Sequence, residues 1–378
     1  MASAFRRFIK KSLIACNIVL AVIFLLACLA PYLNPQNWWF ISILGLGFPF
    51  LWTALLLFFF FWLFVKRKYL FISLIALLVG WKGTSLLFSF HEQVRFDTKK
   101  PADRLRILTW NVARFIELKQ NNNEGSLKRL KMMELIKQQN ADVLCLQEIH
   151  TSINPAYYNN INYIQKELGY PYFYFTYEID TKDHWYSSII FSRLPMLDTG
   201  RVYYPKPGIT EVLIHADLKF NNDTVRVFTT HLQSVLFEKS DYDKIESLEH
   251  ANEGMVSNSK GILSKVKKGA IIRGRQADKV KEELRQSPYP VLFTGDLNDV
   301  PTSYTYSTIR GDMQDVFLQK GLGMGRTFSS LSPTLRIDYI FADRNFSILQ
   351  YKKYARDLSD HYMQVADVRL LNPHPPVD

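Results

Sequence analysis

Three cysteines in 378 residues are too few for a disulfide framework. Cys16 and Cys28 lie in an apolar segment and Cys145 in a strand-like run, so cysteine usage does not fix a redox compartment. Acidic residues are almost missing from the first quarter of the chain. Up to Arg95, nine basic residues stand against Glu92 alone and carry +8 of the formal net charge of +11. The rest of the chain is near neutral, at +3. The high pI therefore comes from charges flanking apolar segments, and is weak evidence for nucleic-acid binding. No internal repeat is present, which excludes solenoids and propellers. Gly321-Leu322-Gly323-Met324-Gly325 is too irregular for a dinucleotide fingerprint. Apolar segments stop near residue 90, too few for a transporter.

What the chain does have is a strongly apolar beginning. Leu13 to Leu33 follows Arg6, Arg7, Lys10 and Lys11 and is long enough to cross a hydrocarbon core of ~30 Å. As a cleaved signal peptide its apolar part is long, and Ala27-Cys28-Leu29-Ala30 is a poor cleavage site. Trp38 to Val65 is a second run, with Pro49 available for a kink and Lys66-Arg67-Lys68 at its end. Tyr69 to Phe90 is a third, interrupted by Lys82, which must snorkel or face protein. Basic clusters stay in the cytoplasm. The expectation is a membrane segment over 1–90 with three crossings, a linker over 91–104 and a catalytic domain over 105–372. It makes the chain an integral protein of the inner membrane, with the domain on the extracytoplasmic side. The lipid bilayer is then a partner, and no obligate protein partner is evident.

The remainder alternates strands with helices. Leu105 to Val112, Ala141 to Glu148, Ser188 to Ser192 and Val291 to Phe293 read as strands. Glu211–Phe220 and Thr224–Thr230 form a hairpin around Asn221-Asn222-Asp223. Leu127, Leu130, Met133 and Ile136 recur at helical spacing. Ala270 to Gln286 reads as an amphipathic helix, with Ala277, Val280 and Leu284 inward and Arg273, Arg275 and Lys279 outward. Phe237 to Lys268 reads as a surface excursion. This mixture predicts an α/β sandwich with mixed sheets rather than a doubly wound parallel sheet.

The chemistry gathers at strand ends. After Val291-Leu292-Phe293-Thr294 come Gly295, Asp296, Leu297 and Asn298, then Pro301 and a helix cap at Thr302 or Ser303. Extended backbone would send Asp296 and Asn298 to one face, a pair suited to a divalent cation and a phosphate. Taken alone, the same residues make an ordinary loop. Five other strands or strand-like runs also end or begin in polar groups: Asn111, Glu148, His231, Asp338, and Asp360 with His361. A lone histidine at a strand end serves structure as readily as catalysis. Together, carboxylates and an asparagine suit Mg²⁺, and a histidine beside an acid suits proton transfer.

Thr109-Trp110-Asn111, Leu146-Gln147-Glu148, Thr230-His231-Leu232, Gly295-Asp296-Leu297-Asn298, Ile337-Asp338-Tyr339-Ile340 and Ser359-Asp360-His361 stand in that order. This set closely resembles the endonuclease/exonuclease/phosphatase superfamily, the deoxyribonuclease-I-like phosphohydrolases, over Leu105 to Leu370. The resemblance implies a four-layer sandwich, two mixed β-sheets face to face with helices outside, and a nuclease-like, metal-dependent phosphodiesterase. It implies Glu148 as main ligand of Mg²⁺, with Mn²⁺ the alternative, and Asn111 and Asp360 contributing directly or through water. His361, polarised by Asp338, is implied as base, and Asp296 as the group that positions or activates water. Asn298 would hold the phosphate, and His231 would stabilise phosphoryl charge or assist the leaving group. His184-Trp185-Tyr186-Ser187-Ser188 departs from the small turn common in the family, leaving Tyr186 as a substrate contact in doubt. The substrate is a phosphodiester, in nucleic acid or a phospholipid headgroup. The alternatives are a headgroup phosphodiesterase or phosphatase and a catalytically inactive, membrane-tethered binding module.

Overall fold

The computed structural model describes residues 2–92, 95–120, 127–177, 183–206, 212–235 and 255–371. They fall in two compact units. One contains the residues up to Phe88, the chain up to Gly274 within a long helix, and Asp299–Thr308. The other contains Ser89–Ser234, Arg275–Asn298 and the residues from Ile309 onward.

In the first unit the apolar runs are helices: α1 (Ala2–Ala27), α2 (Pro35–Leu46), α3 (Phe48–Val65), α4 (Leu70–Val79) and α5 (Trp81–Leu87). Two stretches, Ala4–Ala27 and Phe48–Val65, are long and apolar enough to cross a membrane. Arg67–Val79, which includes α4, and α5 meet that test only as a pair, bent by 66°. The run from Trp38 to Val65, expected as one kinked span, is broken at Gly47, and Pro49 sits in the first turn of α3. Proline is tolerated there because its missing N–H has no helical partner to lose. Phe24 and Phe48 meet at 4.9 Å between ring centroids. Buried Asn17 accepts a hydrogen bond from Ser73 at 2.9 Å. Lys82 lies over the Tyr32 ring at 5.2 Å, so its charge faces an aromatic rather than apolar surroundings.

The second unit begins with β1 (Ser89–Phe90). It continues through β2 (Leu105–Asn111), α6 (Lys128–Gln139), β3 (Val143–Ser152), α7 (Asn160–Leu168), β4 (Tyr172–Phe175), β5 (His184–Ser192), β6 (Met196–Tyr203), β7 (Val212–Phe220) and β8 (Asp223–His231). Helix α8 (Met255–Arg285), divided between the units at Gly274, follows, then β9 (Val291–Asp296), α9 (Tyr304–Arg310), divided at Thr308, β10 (Gln314–Asp315), α10 (Val316–Lys320) and β11 (Leu322–Gly323). β12 (Asp338–Ala342), β13 (Phe346–Tyr354) and β14 (Met363–Leu370) end it. One sheet runs β13-β14-β2-β3-β5-β4 and the other β10-β12-β9-β8-β7-β6. Each is mixed, with a single parallel pair, β2 with β3 and β8 with β9. Leu105, Ile107, Val143 and Cys145 of the first sheet share a core with Ile214, Val227, Leu292 and Ile340 of the second. A second core holds Leu108, Leu144 and Leu146 against Met132, Met133 and Ile136 of α6 and Ile161 and Ile164 of α7. This is the face-to-face sandwich with outer helices.

Several local expectations change. Leu127 and Leu130 are exposed, and Met132, Met133, Leu135 and Ile136 form the buried stripe of α6. Helix α8 starts at Met255, fifteen residues before the expected start. Gly261, Gly269 and Gly274 lower the helix propensity there, so its periodicity is weak in the sequence. The expected excursion is otherwise outside the described residues, up to 254. Arg273 was expected outward; it is buried and ion-paired to Asp299 at 3.2 Å. Phe96, in the expected linker, is buried in the α6 core.

Candidate active site

Strand direction explains why the polar ends meet. β2 and β3 run parallel, as do β8 and β9, so Asn111, Glu148, His231 and Asp296 lie at carboxyl ends on one edge of the sandwich. β12 and β14 run antiparallel to those neighbours, which brings their amino-terminal ends, with Asp338 and His361, to the same edge. Asp338 and His231 each pair in register with Asp296.

The side chains form a connected set. Asn111 Nδ2 donates to Glu148 Oε1 and Asp296 Oδ2, each at 3.1 Å. Its Oδ1 accepts from the Ala113 N–H at 3.1 Å, which fixes the amide orientation. His231 Nε2 lies 3.8 Å from Glu148 and 3.7 Å from Asp296. His361 Nε2 lies 3.6 Å from the same Asp296 oxygen, and its Nδ1 is 3.0 Å from both Asp338 oxygens. All but Glu148 are buried; its side chain is 33% exposed.

One histidine and two of the acids acquire unusual proton affinities. Burial opposes a charge on His361, but Asp338 and Asp296 outweigh it and hold the imidazolium up to about 10. Burial pushes the Asp338 carboxyl up to about 6, against the pull of His361. Burial also acts to raise Glu148. His231, the Asn111 amide, His361 and Arg114 overcome it and leave the carboxyl below its ordinary range.

Two expected residues sit differently. Extended backbone does not continue past Asp296. Asn298 has φ +51°, its N–H donates to Asp296 Oδ1 at 2.8 Å, and its Nδ2 donates to the Leu232 carbonyl at 3.0 Å. Asp360 is exposed, and its carboxylate accepts from Ser359 Oγ rather than from the Asn111 amide. Tyr186 packs against His150 with the rings tilted and 5.0 Å apart, and lies under the Arg114 guanidinium at 5.0 Å.

Other residues escaped the sequence reading. Gln147 Nε2 donates to Thr229 Oγ1 at 2.9 Å and to Thr109 Oγ1 at 3.2 Å, tying the two sheets together beside Glu148. Thr327 Oγ1 accepts the backbone N–H groups of Ile337 and Asp338, and Trp110 Nε1 holds the His361 carbonyl at 2.9 Å. Ala113, Arg114, Phe115 and Ile116 all have positive φ, a left-handed turn pinned by buried Phe115. That turn presents Arg114 over Tyr186, and no propensity rule would place it there. Glu148 itself has φ +52°, at a bulge in the β3–β5 pairing.

The donor set fits a hard divalent cation. Glu148 and Asp296 bring two carboxylates to one amide nitrogen, an arrangement of oxygen anions that a cation would neutralise. Among the described residues, the tightest set with ligand geometry is Asp296, Asp338 and His361. There, Asp338 is already committed to His361 Nδ1, so that set reads as an ion-paired dyad beside the oxygen site.

Residues 10–86 match a domain of unknown function. No curated protein matches the chain. Among solved structures, an endonuclease/exonuclease/phosphatase from Beutenbergia cavernae DSM 12333 is similar at 21% identity and TM-score 0.51, covering 71% of this chain and 72% of that one. Human Nocturnin's catalytic domain with bound sulfate anion is similar at 14% identity and TM-score 0.49, covering 71% and 95%. A humanized D. rerio TDP2 is similar at 17% identity and TM-score 0.48, covering 71% and 99%. Residues 108–361 match the Endonuclease/Exonuclease/phosphatase family, and the chain belongs to it, a family of phosphoester-hydrolysing enzymes.

Proposed function

We propose that the protein is a membrane-anchored, Mg²⁺-dependent phosphodiesterase whose catalytic domain lies outside the cytoplasm. The observation that carries the chemistry is the unbroken chain of contacts from Glu148 through Asn111 and Asp296 to His361 and Asp338. Glu148 would hold the cation, with Asn111 orienting it and Asp360 contributing through water. The bound cation supplies charge stabilisation at the phosphoryl oxygens. Asp296 orients the attacking water and accepts its proton as the water oxygen bonds to phosphorus. The opposite phosphorus–oxygen bond breaks, and the leaving oxygen takes a proton from His231. His361, held protonated by Asp338, is better suited to a fixed cation facing the phosphoryl group than to the role of base. Asn298 positions the phosphate through the part of its amide not bound to Leu232, and Tyr186 with Arg114 contacts the substrate beyond it.

The basic clusters support the topology. Arg6 to Lys11 and Lys66 to Lys68 mark the cytoplasmic face, so residues 28–47 and the chain after α5 lie opposite. Reporter fusions at Lys66 and Lys99 test this, and a cytoplasmic signal at Lys99 would overturn it. The reaction is tested with the full chain in detergent, Mg²⁺, and DNA, RNA or mixed phospholipid vesicles. Cleavage of nucleic acid alone, lost in Asp296→Asn, would identify a nuclease. Headgroup release alone would identify a lipid phosphodiesterase. Unchanged activity in Asp296→Asn would overturn the assignment.

A further inference from the structure

The unit that contains the apolar helices also contains Asp299–Thr308, the residues that immediately follow Asn298. Val300 to Ser303 are buried. Their partner is the short connection and helix between the two membrane-length segments. Thr302 Oγ1 donates to the Gly45 carbonyl at 2.9 Å. That carbonyl could have no helical partner four residues on, because that residue is Pro49, which lacks an N–H. Gly45 is also the only residue type that fits: a Cβ there would stand 2.6 Å from Ala30 Cβ and 3.0 Å from the Thr302 carbonyl oxygen. Asn34 caps α2 through the Gln36 N–H and donates from Nδ2 to the Tyr304 hydroxyl at 3.3 Å. Within the segment, Asp299 is held by Arg273 and, at 2.8 Å, by Thr305 Oγ1. Gly274 lies against Pro35, where a Cβ would stand 2.7 Å from its Cγ.

Asn298 makes this docking matter. Its backbone is left-handed, a conformation that asparagine tolerates better than most residues and that its neighbours hold in place. On one side it is held by Asp296 Oδ1 and the Leu232 carbonyl. On the other it is joined by one peptide bond to the docked segment.

We propose that residues 28–47 of the membrane segment are a positioning element for the signature loop. They clamp Asp299–Thr308 and through the chain hold Asp296 and Asn298 in working geometry. The inference rests on the proposed roles of those two residues. It makes the membrane helices part of the catalytic apparatus, where a tether could be exchanged for any other apolar segment.

The test uses the full chain in nanodiscs and three variants. Thr302→Val removes the donor and keeps the shape, Thr302→Ser keeps the hydroxyl, and Gly45→Leu forces the contact apart. Hydrogen exchange is read on peptides covering 291–298 and 299–308, together with kcat and KM. Thr302→Val and Gly45→Leu are expected to speed exchange about tenfold or more in both peptides. They are expected to lower kcat about fivefold or more with KM within about twofold, since orientation and not a substrate contact is lost. Thr302→Ser should behave as the parent. Faster exchange in 299–308 with 291–298 and kcat unchanged would overturn the proposal, as would unchanged exchange in both. If the parent cleaves no phosphoester, the functional reading fails, and exchange in 291–298 still decides the clamp. If Gly45→Leu does not fold, Thr302→Val decides it.

Discussion

Glu148→Gln separates metal binding from folding, and its size follows from the site. Two unit charges ~4 Å apart interact by ~1 kcal/mol in water and ~4 kcal/mol at an effective dielectric of 20, and a divalent ion doubles both. Glu148's side chain is 33% exposed, which places it nearer the watery limit. Loss of its charge should therefore weaken Mg²⁺ by about 3 kcal/mol, roughly a hundredfold in Kd. The fold should not suffer. Glutamine keeps an oxygen that accepts from Asn111 Nδ2, and one anion fewer stands beside Asp296. The assay is the rise of Tm with Mg²⁺, which reports Kd through binding to the folded state, read beside turnover. The variant's curve should shift by about two decades in Mg²⁺, with metal-free Tm within a few degrees of the parent. His361→Ala removes a positive charge instead, so Mg²⁺ binding should be at least as tight as in the parent while turnover is lost. Superimposable Mg²⁺ curves for Glu148→Gln and the parent would refute the assignment of Glu148 as ligand.

Other consequences concern protonation and strain. Because the folded His361 pKa is raised, its contribution to stability is full below the unfolded value of ~6.5 and is lost as pH rises toward about 10. Asp338→Asn should flatten that window in metal-free denaturant titrations, and an unchanged slope would show that Asp338 is not the cause. Burial, then His184 and Arg114, hold His150 down to about 4. The unfolded chain binds the extra proton between about 4 and 6.5, so stability should rise with pH across that window. His150→Phe should remove most of that rise, read by melts at pH 4.5 and 7. Gly295 has φ +154° and a Cβ there would collide with the Thr230 carbonyl oxygen, so Gly295→Ala should cost about 3 kcal/mol or more in urea titrations.

The sequence alone determined the elements and the chemistry at their ends. Apolar runs of strand length, each closing on a polar residue, were legible because burial demands apolar side chains while a strand end can expose a functional one. The order of six short motifs carried the family, and the basic clusters around the apolar runs carried the expected topology. What remained hidden depends on partners distant in the chain. Buried Arg273 reads as a surface charge until Asp299 is brought beside it. Asn298 reads as strand-like until Asp296 and Leu232 bend its backbone into the left-handed region. Arg114 gains a place only through a left-handed turn pinned by Phe115. Whether His361 carries a proton depends on Asp338 and Asp296 converging on one buried ring, and electrostatic energy depends on distance, which sequence does not state. The pairing of Thr302 with Gly45 is the extreme case. A carbonyl denied its helical donor four residues on by a proline is visible in the sequence, but the hydroxyl that bonds it comes from 257 residues away, and only the fold brings it there.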